Sequence, residues 1–270
     1  MHVFPQPTSD VDIGIVYTYE REFMPPLLST LRASGDGLRL RLLLVDNASA
    51  DGAEQWRPLF PNMSVIRNAN RLGYAANLNR VLEASTAPYI LLLNTDMHFD
   101  PQEQCLAKMV AFMQSHPECG LAGCRLHHGD GEHAPSARRF QTVPVILARR
   151  FGLGRLLRHT LHDYFYEDHA IEDSWECDWL SGCFFLVRRA AFEEVGYLDT
   201  GFVKYFEDVD YCLRMSRAGW RVMYHGGTYC YHLEQRASRG FLSPDSRRHA
   251  RAYLRFLLKW GLSPRRAISA

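Results

Sequence analysis

No stretch of this chain stays apolar for long. The longest runs, Leu40 to Val45 (interrupted by Arg41) and Tyr89 to Leu93, fall far below the ~20 residues that a membrane-spanning helix needs. The N-terminal Met1-His2-Val3-Phe4-Pro5-Gln6 has no basic region leading into an apolar core, so a secretory leader is not expected. Net charge is almost absent, +1 over 270 residues, which removes any global attraction to nucleic acid. The seven cysteines form no CxxC pair; an odd number scattered through apolar segments points to reduced thiols and a cytoplasmic setting. There is no GxGxxG, no internal repeat and no low-complexity segment. What remains has the balance of a globular enzyme, 47% hydrophobic and 23% charged, with enough chain for one large domain or one with a small appendage.

What is present has an α/β rhythm. Strands are predicted at Val11 to Tyr17, Leu40 to Val45, Asn62 to Arg67 and Tyr89 to Asn94, with helices from Pro25-Pro26 onward and over Tyr74 to Ala84. Such alternation implies a mostly parallel central sheet flanked by helices, with right-handed crossovers. Three of these strands end in polar residues: Thr18 and Glu20, Asp46 and Asn47, Asn94 and Asp96. In an open α/β sheet those ends share one edge, and ligands bind there. Asp96 suits Mg²⁺ or Mn²⁺ bridging to a diphosphate, or it merely ends its strand. Asp46 suits ribose hydroxyls or a base N–H, or it caps a turn. In Asn68 to Asn79, Gly73 and small alanines allow close approach to a ligand; Asn77 and Asn79 add neutral donors, and Arg71 can face a phosphate.

Strand–DNAS, NxxRLGYAANLN and LLLNTD, in this order and spacing, resemble the family 2 glycosyltransferases with the GT-A fold. The resemblance implies that Asp46 contacts a nucleotide, with Thr18, Tyr19, Glu20, Asn47 and Thr95 beside it. It also implies that Gly73, Asn77 and Asn79 line the donor pocket and that Asp96 holds the divalent metal. Asn94-Thr95-Asp96 keeps only the last carboxylate of a DxD motif, and Glu20 stands where many relatives have asparagine.

Further on, Pro101 to Gln114 is predicted as an amphipathic helix and Gly120 to Cys124 as a strand. His127 to Ile171 reads as a weakly periodic, loop-rich and basic insert, more mobile than its scaffold, and either a solvated surface or a contact for an anionic acceptor or phospholipid headgroups. A strand at Phe184 to Val187 and a helix over Arg189 to Val195 follow. In Tyr205 to Arg214, Glu207, Asp208 and Asp210 place three carboxylates within four positions, and such crowding raises a pKa as a general base requires. Asp210 alternatively caps the helix that follows. WLSGCFFLVRR, GYLDTGF, YFEDVDYCLR, AGWRV and a strand ending in Tyr231-His232 resemble the bacterial rhamnosyltransferase branch of the same family. That resemblance implies Asp208 as base with Glu207 in support, Trp179 and Gly182 on the acceptor side, and His232 near the metal. It also implies that Glu234 to Gly240, with Arg236 or Arg239, closes over the substrates.

A basic amphipathic helix over Asp245 to Trp260 is expected to lie on an anionic membrane or on its own domain. The expected division is a catalytic domain over 1–240 (donor half 10–100, acceptor half 101–240) and a C-terminal helix over 241–270. The implied reaction is inverting transfer of a sugar, rhamnose from a deoxythymidine-diphosphate donor, to a glycan or lipid-linked acceptor. The implied location is cytoplasmic, peripheral to the inner face of the membrane. A nucleotidyltransferase would carry a glycine-rich basic loop in place of Thr18-Tyr19-Glu20-Arg21, and a non-catalytic sugar-nucleotide-binding subunit has no need of the Glu207-Asp208 pair.

Overall fold

In the first strand, β1 (Val11–Tyr17), Val11, Ile13, Ile15 and Tyr17 face one hydrophobic cluster while Asp12 and Gly14 face the other side, and both sets are buried. A strand covered on two faces belongs to the interior of a parallel sheet. The computed structural model describes residues 9–150, 153–233, 244–262 and 264. After β1 come α1 (Met24–Ser34), β2 (Leu40–Asp46), β3 (Met63–Arg67), α2 (Tyr74–Ala84), β4 (Tyr89–Leu93), β5 (Met97–His98) and α3 (Cys105–Ser115). The middle holds β6 (Cys119–His127), β7 (His133–Ala134), β8 (Ala137–Arg138), α4 (Val143–Arg150), α5 (Arg158–Tyr164), β9 (Ser174–Glu176) and β10 (Trp179–Leu180). The chain then forms β11 (Phe184–Arg188), α6 (Arg189–Val195), α7 (Glu207–Arg217), β12 (Arg221–His232) and α8 (Pro244–Trp260).

The main sheet runs β3-β2-β1-β4-β11-β6-β12-β5. Strands β3, β2, β1 and β4 are parallel, as are β6 and β12, so the expected α/β architecture is present. Between these two sets β11 runs antiparallel to both neighbours. Even-numbered Leu42 and Leu44 join β1's apolar face against α1 and α3, whereas Leu43 and Val45 face α2. Gly14 lets α2 lie directly on β1, since a Cβ there would stand 2.2 Å from Val81 Cγ1.

Three expectations are corrected. The insert is structured: α4 and α5 bury Val145, Ala148 and Tyr164, and the segments beside them bury Phe140 and Tyr166, because aromatic and aliphatic anchors are spaced through a polar stretch. The helix expected from Pro101 starts at Cys105, after turns that end in a left-handed Gln104 (φ 52°). Asp210 lies inside α7 rather than capping it. It is fully buried, pairs with Arg214 and Lys259, and accepts the Trp260 indole N–H at 2.8 Å.

That carboxylate helps dock α8. Phe256 is fully buried beside Phe206, and Asp199 pairs with Arg255 and Lys259. One face of the C-terminal helix therefore packs on its own domain, and the other carries Leu254 and Leu258 outward.

Candidate active site

The parallel register of β1, β2 and β4 brings their carboxyl ends to one edge, as the strand-end pattern predicts. Asp46 is buried there. Its Oδ1 accepts the Ser49 N–H at 2.8 Å and its Oδ2 the Ala53 N–H at 3.3 Å, closing a turn through left-handed Ala48. Asn47 Oδ1 accepts from the Leu72 N–H (2.8 Å) and the Asn68 amide (2.9 Å), while its own amide donates to Leu72 O and Thr18 Oγ1. Buried Asn77 accepts from Asn68 and donates to the Leu72 and Gly73 carbonyls. Asn47 and Asn77 thus hold the shape of the 68–73 loop at this edge. Asn79 differs: its amide makes a paired bond with the Leu198 backbone, 2.8 and 2.9 Å, and fixes α2 to the segment before α7. Glu20 folds back to accept the Thr18 and Tyr19 N–H groups, leaving the Tyr19 ring 73% exposed under the Arg71 guanidinium. Gly73 opens α2 with Val203 O 3.3 Å from where a Cβ would be.

Beyond β4, Thr95 is buried and Asp96 Oδ1 stands 3.3 Å from His232 Nε2, both side chains partly open to solvent. Pairing of β12 with β5 (His232 with Met97) makes this contact across 136 residues of sequence. Burial alone would lower the His232 pKa; Cys183 and Asp96 outweigh it and raise it to about 11. This spot therefore carries a negative field that a proton satisfies here and that a divalent cation also suits. One carboxylate and one imidazole are donors that Mn²⁺ accepts, with few enough protein ligands to leave room for phosphate oxygens.

The third group sits at the start of α7. Tyr205 (φ 73°) and Phe206 (φ 68°) are both left-handed, an uncommon conformation for bulky residues and one that clusters where function requires it. Phe206 is held against His249, Tyr253 and Phe256 of α8. This turn presents Glu207 and Asp208 in the first helical turn. Glu207 is buried, and its Oε2 has no hydrogen-bond partner among the described residues. Burial first, and then the Asp208 charge, push its pKa up to about 8. Asp208 is raised by burial, against which the Gly182 and Val209 N–H groups (3.2 and 2.9 Å) and Arg138 act. Of the two, Asp208 has backbone N–H donors to hold a negative charge and Glu207 Oε2 has none, so the pair favours carrying its charge on Asp208. Gly182 suits that contact, because a Cβ would come 3.1 Å from Asp208 Cβ and the carboxylate would have to give way by a few tenths of an ångström. Trp179 lies in β10 with its indole N–H donated to Arg139 O and its face covered by Arg138. Arg239 and the segment 234–240 lie outside the described residues.

Tyr74 joins the two ends. Its buried hydroxyl donates to Asn94 Oδ1 at 2.6 Å, and its pKa is raised first by burial and then by the neighbouring acidic groups, Glu207, Asp96 and Asp208 among them. Tyr74 and Cys183 were not among the residues expected from sequence to act in the site. Tyr74 was visible only as part of the GYAAN segment, and Cys183 only as the residue after Ser181-Gly182.

A family model described as "Glycosyl transferase family 2" matches residues 13–196. The chain is 29% identical over 196 residues to an N-acetylglucosaminyl-diphospho-decaprenol L-rhamnosyltransferase of Mycobacterium tuberculosis, covering 68% of this chain and 63% of that protein. It is 28% identical over 172 residues to Rhamnosyltransferase WbbL of Escherichia coli, covering 63% of this chain and 62% of that protein. The chain thus spans somewhat under two thirds of these relatives. Among solved structures, a mannosyltransferase from Pyrobaculum calidifontis in complex with GDP-Man and Mn²⁺ superposes with a TM-score of 0.64 at 19% identity, covering 97% of this chain and 68% of that one. S. aureus TarS 1-349 superposes with a TM-score of 0.58 at 15% identity, covering 82% and 60%.

Proposed function

This chain belongs to glycosyl transferase family 2, and on that premise we propose that it transfers rhamnose, with inversion, from a deoxythymidine-diphosphate donor to a hydroxyl of a lipid-linked or growing surface glycan. The observation that carries the reading is that the two ends meet: the Asn94 N–H, two residues before Asp96, donates to Cys183 O at 3.0 Å, and the adjoining Gly182 N–H donates to Asp208 at 3.2 Å. One end has the chemistry to hold a diphosphate; the other has a base.

In this reading the loop fixed by Asn47 and Asn77 shapes the nucleotide pocket, Asp46 keeps its turn at the ribose edge, and Tyr19 with Arg71 borders it. Asp208 takes the acceptor hydroxyl proton as that oxygen attacks the anomeric carbon, and the nucleoside diphosphate leaves with the bonding electrons. Glu207 stays protonated, so that the charge on Asp208 is not opposed. Asp96 and His232 would hold Mg²⁺ or Mn²⁺, which when bound neutralises charge on the departing diphosphate. The rhamnosyl donor and lipid-diphosphate acceptor are supported by the names of the relatives.

Thermal shift with a panel of nucleoside diphosphates, with and without Mn²⁺, tests the donor site. At a ligand concentration a hundred times Kd, mass action adds about 2.7 kcal/mol, several degrees in Tm. The expected result is a dTDP shift enlarged by Mn²⁺, with the metal-dependent part missing in Asp96→Ala. Silence toward every nucleotide, with and without metal, rules the reading out.

Among the described residues no helix is long and apolar enough to cross a membrane. The outward face of α8, with Leu258 81% exposed, Leu254 a turn before it and exposed Arg247 and Arg251, supports peripheral contact with an anionic leaflet. Co-sedimentation should favour anionic over neutral vesicles and weaken in Leu258→Glu; indifference to lipid charge would count against it.

A further inference from the structure

The seven cysteines are all buried and none is in a disulfide, and three of them meet. Cys105 is the first residue of α3, Cys124 lies in β6 and Cys230 in β12. Strands β6 and β12 are parallel neighbours, and α3 covers the face on which Cys124 and Cys230 stand. An irregularity in β12 between His225 and Tyr229 resets its register so that Cys230 pairs with Leu126, on the same side as Cys124. Gly226 inside this bulge is pressed against backbone, where a Cβ would stand 2.2 Å from Ile171 O, so the bulge is fixed from outside.

The outcome is a compact sulfur cluster. The Cys124 and Cys230 Sγ atoms are 3.4 Å apart, and all three Sγ atoms lie within 4.8 Å of one another. Thr228, also in the bulge, is fully buried with its hydroxyl against the Cys105 thiol. A single buried cysteine behaves as a small hydrophobe. Three sulfurs delivered by three separate elements to one point make a donor set.

We propose that Cys105, Cys124 and Cys230 form a three-coordinate thiolate site for a soft d¹⁰ cation, monovalent copper in class. The choice follows from the donors. Hard cations take oxygen ligands. Structural zinc takes four ligands, and among the described residues no histidine or carboxylate joins this cluster. Thiolate sulfur selects soft cations. Cys105 sits at the N-terminus of the eleven-residue α3, where the helix end favours a negatively charged ligand. Binding releases the thiol protons to solvent. The site is distinct in chemistry from the oxygen and nitrogen pair Asp96-His232.

The full reduced chain would be incubated anaerobically with Cu(I) in sub-denaturing urea, which opens the core transiently, against a chromogenic Cu(I) chelator. The chain is expected to withdraw a single equivalent of copper, gain thiolate-to-copper absorption in the near ultraviolet and melt at a higher temperature. Cys105→Ser and Cys230→Ser should lose all three effects. Cys119→Ser, whose sulfur donates to the Leu121 carbonyl elsewhere, should keep them. Mass mapping of alkylation on the loaded wild-type chain does not depend on variants folding, and it should show protection confined to Cys105, Cys124 and Cys230. Copper left with the chelator, protection spread over other cysteines, or tighter retention of Zn²⁺ in the same competition overturns the proposal.

Discussion

Asp208→Asn is expected to lower kcat for sugar transfer by about 10²–10⁴-fold, the span over which a positioned base contributes, while nucleoside diphosphate binding stays intact. The side chain keeps its shape, so Gly182 still meets a polar atom across the same contact. What is lost is the ability to accept a proton. An amide offers one oxygen where two backbone N–H groups now donate to the carboxylate, so a modest fall in Tm is also expected, about 1–3 kcal/mol for the group left unpaired. The dTDP-induced thermal shift separates this structural cost from the chemical one.

The pH profile gives the sign. Asp208 works as a base only when ionised, and burial raises its pKa. Wild-type activity should therefore rise with pH through that raised titration, and the acid limb should disappear from the residual activity of Asp208→Asn. A variant that turns over donor and acceptor at the wild-type rate would remove Asp208 from the mechanism.

Much of the fold is legible in the chain because the signals are local. Leu40 to Val45, broken only by Arg41, and Tyr89 to Leu93 are short apolar runs that stop at polar residues, so they read as buried strands, and Leu42 to Val45 and Tyr89 to Leu93 are buried. Helix α6 runs over the predicted Arg189 to Val195 because Gly196 (φ 80°) stops it. The strand-end residues converge because parallel pairing leaves them no other edge. What the sequence hid is tertiary. Asn79 looks like a ligand donor within its motif, yet its partner is Leu198, 119 positions away. Asp210 looks like a helix cap until α8 arrives with Lys259 and Trp260. Tyr74 carries no charge, and only the sheet order β4-β11-β6-β12 brings it Cys183 and the carboxylates. The insert between β6 and β11 was masked by its arginines, several of which lie over aromatic rings.

Asp12 passed unnoticed for the same reason, and its replacement by alanine is expected to cost about 3–5 kcal/mol of stability, the range for breaking a buried ion pair. The carboxylate is fully buried in β1, where strand register sets it beside Arg41 of β2. Oδ1 accepts Ser9 Oγ and Arg41 Nε; Oδ2 accepts Arg41 Nη2, Ser85 Oγ and the N–H groups of Thr86 and Ala87. Arg189 extends the network from α6 by donating to Ala87 O and Ser85 Oγ. Asp12 thus ties the start of β1 to the turn that feeds β4, the strand that delivers Asp96. Alanine would take from Arg41 its ionised partner, leaving it only Ala84 O and Thr86 Oγ1, and would leave two backbone donors without an acceptor.

Burial works to raise the Asp12 pKa, but Arg41, Ser9 and the backbone donors prevail and hold it well below the usual carboxylate range. A depressed folded-state pKa contributes stability that is fully present above the unfolded value, near 3.8, and is lost as pH falls toward the folded one. In chemical denaturation at matched m-value, the gap between wild type and Asp12→Ala should hold from neutral pH to about 4.5 and narrow below it. A gap that persists undiminished to pH 2.5 would assign the cost to packing rather than to the ionised carboxylate, and the tie between β1 and β4 would then rest on shape alone.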